Sequence, residues 1–270
     1  MPVPWTPSFG TYHAWYEDQT LTFFTVDTEA DVAQRASHSY LCAVRLDVLE
    51  PDDRGMPSPA EGPAIDRISD RITFQLERDW DAWQVGRETK TGQVTFVYYL
   101  GNKPLLEAQR AGSDQQIIDT TDPHWAPYKI IVNVTQDPEW LFYRNAMSPT
   151  EIELHLISSY RFIQQLAWQG DDPSIEREIQ HVSVFADEEH ARLASEALDA
   201  AGYVTSPTSE GEQNMVILPF KSRSDLTGFG IEKTLVDLLP YLDEQDGYYA
   251  GWTCNPAKEA EGVALKGSTP

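Results

Sequence analysis

Basic residues are scarce: 20 Lys and Arg stand against 43 Asp and Glu in 270 residues, a formal net charge of −23. A nucleic-acid binder held by phosphate contacts needs a basic surface, so that class is excluded. Cysteine is almost missing. Cys42 and Cys254 lie near opposite ends of the chain with no metal-ligand spacing, which argues against both a disulfide and a zinc framework. No apolar run approaches the roughly eighteen residues of a membrane span, and Met1 to Gly10 has neither the basic start nor the apolar stretch of a secretion signal. The expected location is the cytoplasm. The histidines (His13, His38, His124, His155, His181, His190) form no H-x-x-x-H or H-E-x-x-H spacing, no serine sits in a G-x-S-x-G elbow, and neither cysteine has a histidine or basic neighbour. Gly228-Phe229-Gly230 lacks the third glycine and the Lys-Ser/Thr pair of a phosphate loop. Neither a cofactor nor a metal is expected.

What is present is material for two cores. Apolar residues make up 41% of the chain and aromatics 11%, and the length suits two domains. Seven of the eight tryptophans precede residue 170, so the two parts are built differently. Ser148-Pro149-Thr150-Glu151 reads as a capping box, with Ser148 at the N-cap and Glu151 three residues on. Ile152, Leu156, Tyr160, Ile163 and Ala167 then follow at helical spacing up to a Gly170-Asp171-Asp172-Pro173 break. Residues 148–175 are therefore read as a connector helix and linker.

Residues 8–147 are expected to form an antiparallel-sheet α+β domain. Leu21 to Asp27, Tyr40 to Leu49 and Tyr128 to Val134 read as strands, and Ile65, Ile68, Ile72 and Leu76 as the inner stripe of a helix begun by Gly62-Pro63. Trp83 to Glu88 and Gln93 to Leu100 flank a short Gly-bearing turn and read as a hairpin. Residues 176–256 run β-α-β-β-α-β. The strands are His181 to Phe185, Tyr203 to Thr205, Met215 to Phe220 and Tyr248 to Cys254. One helix is capped by Asp187 with Ala191, Ala194, Ala197, Leu198 and Ala201 inside; the other carries Ile231, Leu235, Leu238, Leu239 and Leu242, with Pro240 expected to kink or shorten it. That order is the ferredoxin-like arrangement. Residues 257–270 read as a tail.

Three groups of side chains are candidates for function. Trp80, Trp83, Tyr98, Tyr99 and Trp125 can line a small-molecule pocket or fill a sheet core. Glu151 and His155, four apart on a helix, could join Glu188 or Glu189 at a metal, but two ligands do not make a site, and a capping Glu beside an exposed His explains them. The third group comes from connectivity. Residues 178–256 carry 14 acidic and 4 basic residues, a net of −10. In the β-α-β-β-α-β order three loops meet at one end and bring together Asp187, Glu188, Glu189, Glu210, Glu212, Asp243, Glu244 and Asp246, with Lys221 and Arg223 at the other end. Local helix capping and turn solvation explain such a cluster; so does a docking site for a basic protein surface.

Two resemblances rest on short motifs. Ile179-Gln180-His181-Val182-Ser183-Val184-Phe185-Ala186, Asp187-Glu188-Glu189, Ala201-Gly202-Tyr203-Val204 and Tyr249-Ala250-Gly251-Trp252 resemble the regulator of ribonuclease E activity B family, with Ala250 where that family usually has Asp. The resemblance implies a ferredoxin-like fold and a non-catalytic role, binding and inhibiting an RNA-degrading endonuclease. Trp15-Tyr16, Gly55-Met56-Pro57, Phe96 to Tyr99 and Asp137-Pro138-Glu139-Trp140 with Tyr143 look like the bacterial domain of unknown function 695, which implies no activity. The expectation is a non-enzymatic protein-binding regulator with a basic protein partner, which the resemblance implies is a ribonuclease, and with neither nucleic acid nor membrane bound directly. The alternatives are a small-molecule sensor using the aromatic group and a Mg²⁺- or Mn²⁺-assisted hydrolase using clustered carboxylates.

Overall fold

Period-two alternation builds the first sheet. A computed structural model describes residues 7–15, 20–30, 37–102 and 117–257, in two units, Met1–Pro149 and Thr150–Pro270. In the first unit β1 (Phe9–Trp15), β2 (Leu21–Asp27), β3 (Tyr40–Asp47), β4 (Trp83–Lys90), β5 (Gln93–Leu100) and β6 (Ile131–Gln136) form one antiparallel sheet in the order β1-β2-β4-β5-β3-β6. The even residues Val94, Phe96, Tyr98 and Leu100 of β5, with Cys42, Val44 and Leu46 of β3, pack under Ile65, Ile72, Leu76 and Trp80 of α1 (Gly62–Trp80). Each fully buried aliphatic side chain there contributes about 1.5–3 kcal/mol. The β4–β5 turn places both Thr91 (φ 45°) and Gly92 (φ 76°) in the left-handed region, the geometry that matches the twist of a two-residue hairpin. Gly55 packs against it, and a Cβ there would come within 2.7 Å of the Gly92 nitrogen. The Gly55-Met56-Pro57 motif thus serves a close backbone approach.

The opposite face of this sheet holds a second aromatic set. Trp140 stacks on Tyr99 at 3.9 Å between ring centres and meets Trp83 and Tyr143 edge-on. Asp137 anchors this set. Its carboxylate accepts from the Tyr99 hydroxyl at 2.7 Å and from the backbone N–H groups of Leu141 and Phe142 at 2.8 and 3.0 Å. Burial alone would raise its pKa, but those three donors outweigh it and hold the carboxyl below its ordinary value. The Asp137-to-Tyr143 motif is therefore a structural corner.

The second unit contains α2 (Glu151–Trp168), β7 (Arg177–Phe185), α3 (Glu188–Ala200), β8 (Val204–Thr205), β9 (Ser209–Glu210), β10 (Val216–Ser224), α4 (Gly228–Asp243) and β11 (Tyr248–Thr253). The sheet is antiparallel in the order β11-β7-β10-β8, with β9 beside β10. The core joins Phe185, Leu218 and Phe220 to Ala191, Ala194 and Leu198 of α3 and to Leu235, Leu238 and Leu242 of α4. Both units are thus α+β with antiparallel sheets.

Several expectations change. The N-cap of α2 is Thr150, not Ser148: Thr150 N donates to Glu153 Oε2 at 2.6 Å and Thr150 Oγ1 accepts from Glu153 N, so the box lies two residues later. Nor is α2 a free connector. Leu156 is buried with the α3–α4 core and Leu166 with Ile179, Leu226 and Ile231, because the apolar stripe needs a surface to cover. The Gly170–Pro173 stretch is tied down rather than open. Buried Asp171 pairs with buried Arg177 and accepts from Ala257 N at 2.6 Å, while Asp172 N donates to Ala257 O. In α3, Ala197 is half-buried and Ala201 exposed, beyond the inner face. Pro240 lies inside α4, which runs three residues past it to Asp243. The carbonyl that Pro240 leaves without a donor belongs to Val236, a residue 50% exposed, where water can replace the missing bond. The strand expected from Tyr128 starts at Ile131, and β1 had no counterpart in the sequence reading.

Thr150→Ala should cost about 0.5–2 kcal/mol in urea denaturation, since both halves of the box are lost. Ser148→Ala should stay within about 0.5 kcal/mol. Equal losses for the two would return the cap to Ser148.

Candidate functional site

The five aromatic candidates do not converge. Adjacent strand residues point to opposite faces, so Tyr98 joins Trp80 and Trp125 on the α1 side while Tyr99 joins Trp83 on the other. All five are buried, at most 4% exposed, and the polar tips of four are used internally: Trp80 Nε1 donates to Ile117 O, Trp125 Nε1 to Asp119 O, Tyr99 Oη to Asp137 Oδ2, and Tyr98 shares a hydrogen bond with Thr73. They are core fillers.

The acidic loops of the second unit do share an end of its sheet. Phe185, the last residue of β7, pairs with Val216, the first of β10, and Val184 pairs with Tyr248, the first of β11. The loops before α3, before β10 and after α4 therefore meet, while Lys221 and Arg223 lie opposite, paired to Glu178 and Glu176. Asp187, Glu188 and Glu210 line one concavity of about 320 Å³, and Asp246 acts electrostatically on His190. All eight carboxylate residues are exposed. Some of this charge has a local use. Asp187 accepts from the N–H groups of Glu189 and His190, both at 3.0 Å, and Glu189 pairs with Arg192. The loop after α4 has no such account. Asp243 ends α4 and Glu244 and Asp246 follow it, at a helix C-terminus whose free carbonyls favour cations, and no basic residue lies in the last turn. No three His, Cys, Asp or Glu side chains among the described residues lie close enough to share a metal ion.

Two features of the second unit were missed. The first is a polar line through its core. His181 Nδ1 is 2.8 Å from Tyr249 Oη and Nε2 is 2.9 Å from Ser222 Oγ, joining the adjacent strands β11, β7 and β10. The imidazole is fully buried and stacks on Phe220. Burial pushes its pKa down to about 4. A neutral imidazole donates through one nitrogen and accepts through the other, and both hydroxyls can take either role, so the line is satisfied. A serine beside a histidine has the hydrogen bond of a nucleophilic site. A base near pKa 4, however, takes a serine proton poorly at neutral pH. The signal in the sequence was position: Arg177, Ile179, His181, Ser183 and Phe185 are alternate residues, all on the buried face of β7.

The second is a groove of about 590 Å³ between α2 and β11, lined by Glu151, Leu154, His155, Ser158 and Phe162 on one side and Tyr248 to Trp252 on the other. The Tyr-Ala-Gly-Trp motif forms its floor. Ala250 is the extra residue of a β-bulge, and Gly251 takes φ 123°. Trp252 Nε1 donates to Ser159 Oγ at 2.8 Å, and that hydroxyl donates to His155 O. His155 is half-buried against the Tyr249 ring, not exposed, and its Nε2 has no hydrogen-bond partner. Burial lowers its pKa against the opposing pull of Glu151 and Asp243.

Comparison with known proteins divides the chain in the same two parts. Residues 11–148 match a family model described as "Family of unknown function (DUF695)", and residues 157–254 match "Regulator of ribonuclease activity B". The second match begins inside α2. The chain matches no curated protein. A crystal structure of an unknown protein from Galdieria sulphuraria is similar over 81% of this chain and 99% of its own, at 12% identity and a TM-score of 0.20.

Because the folded pKa of His181 lies below the ordinary 6.5, its neutral form stabilises the fold above that value, and stability falls as pH drops from 6.5 towards 4. The loss should total about 3 kcal/mol. His181→Phe should lower stability at pH 7, stranding two hydroxyls, yet flatten the dependence over that window in urea titrations; an unchanged slope would remove His181 as its source. Gly251→Ala should cost about 1–3 kcal/mol through φ alone, since a Cβ there meets nothing within 4 Å. An unaltered urea midpoint would show that the bulge tolerates a side chain.

Proposed function

Because the chain belongs to the family of unknown function (DUF695) and its second unit matches Regulator of ribonuclease activity B, we propose that it is a non-enzymatic, protein-binding regulator of a ribonuclease. The second unit is the binding part, and its acidic end docks a basic protein surface. The observation that carries this reading is the meeting of three acidic loops at one end of the sheet. A ribonuclease holds phosphates on basic surface, and that surface is complementary to a carboxylate cluster. The charge after α4 favours docking over local stabilisation, since each such carboxylate costs about 0.3–1 kcal/mol at a helix C-terminus. A ferredoxin-like fold for this unit is supported by its strand order, β11-β7-β10-β8, with a helix between β7 and β8 and another between β10 and β11.

Long-range attraction of this kind acts mainly on the association rate. Glu188→Lys, Glu212→Lys and Glu244→Lys together should slow association with a purified RNA-degrading endonuclease at least about tenfold at low salt and flatten its salt dependence, with circular dichroism unchanged. An unaltered rate for the folded triple variant would move the contact surface elsewhere.

A further inference from the structure

The sheet of the second unit ends on β11, whose strand partner among the described residues is β7 alone. On its outer side the strand presents backbone N–H and C=O groups that no other strand takes up. Natural edges are blunted by lysine, proline, inward charge, a bulge or a cover. Tyr248 to Thr253 contains no Lys, Pro or charge at all. A bulge at Ala250 shortens the flat run and so limits any added strand to a few residues.

Beside this edge lies the α2–β11 groove. Its far wall carries Leu154, 44% exposed, and its near wall Tyr248, 60% exposed, with Ser158 and Phe162 deeper along α2. An open edge facing a helix across a partly apolar groove is the arrangement in which an extended peptide adds as a strand and sets alternate side chains against the helix. The charge selects the occupant. Glu151 lines the groove, Asp243 acts on His155 from the same side, and no Lys or Arg is among the lining residues. A second copy of this chain would bring its own excess of negative charge to the same place.

We infer that the α2–β11 groove receives a short, extended, cationic segment of a partner protein as an added strand on β11. This rests on the reading of the second unit as protein-binding, but its contact surface is the groove, which adjoins the acidic end at Asp243.

The test uses the full chain and a fluorescent, end-capped hexapeptide of alternating lysine and valine, followed by anisotropy. Two further peptides carry N-methyl groups on alternate amides, one set on each edge. The parent should bind, one methylated peptide should lose at least about tenfold in affinity, and the other should not. Leu154→Lys should weaken binding at least about tenfold with unchanged circular dichroism, and amide exchange should slow in Tyr248 to Trp252. No binding of the parent up to about 1 mM, or equal binding of both methylated peptides, overturns the inference. Binding that survives Leu154→Lys but is lost in the Glu188, Glu212 and Glu244 triple variant overturns it too and leaves the acidic end as the contact. A concentration-dependent dimer in sedimentation, competed by the peptide, would make a second copy the occupant and overturn it as well. Peptide binding at the groove together with no association with a ribonuclease would instead uphold the groove and sink the proposed regulatory role.

Discussion

Asp137 cannot be removed from its core without stranding the Tyr99 hydroxyl and two backbone N–H groups, and His181 cannot be removed without stranding Tyr249 and Ser222. Leaving a buried polar group without its hydrogen bond costs about 1–3 kcal/mol. Each unit contains such a hub in a mainly aromatic or aliphatic core. In the first, the hub fixes where Trp140 stacks; in the second, it ties β11 and β10 to β7 in register. The motifs that carry the family likeness are the surroundings of these hubs. Asp137-Pro138-Glu139-Trp140 contains one hub, and the His181 and Tyr249 motifs contain the other.

Much of this was readable where one physical signal acts alone. The Ile65, Ile68, Ile72, Leu76 stripe made α1, the Asp187 side chain capped α3, and the Gly92 turn closed the β4–β5 hairpin. The reading failed where two signals competed. Ser148-Pro149 and Thr150 are both plausible starts for α2, and only the reach of Glu153 rather than Glu151 decides between them. Neighbours on a strand look like a cluster in sequence, yet Tyr98 and Tyr99 must diverge by the pleat. Whether α2 belonged to a unit or linked two could not be read from its stripe, because the stripe says that a face is buried but not against what.

For the candidate sites the same division holds. The acidic end followed from connectivity, since strand direction fixes which loops meet. The groove did not, because it depends on where α2 packs beside β11 and on a bulge whose extra residue is an ordinary alanine. The two surfaces differ in physical character. One is an open field of carboxylates that works at a distance; the other offers backbone hydrogen bonds that act only on contact. A partner could be drawn in by the first and held by the second.

The Asp171–Arg177 pair has a practical consequence for handling the protein. By gripping Ala257, it parks the chain that leaves β11 beside the start of β7, at the end of the sheet where Lys221 and Arg223 lie. A fluorophore, affinity handle or surface tether joined just after that point would stand off from the carboxylate loops. Immobilised in this orientation, the second unit would turn the carboxylate end of its sheet away from the support.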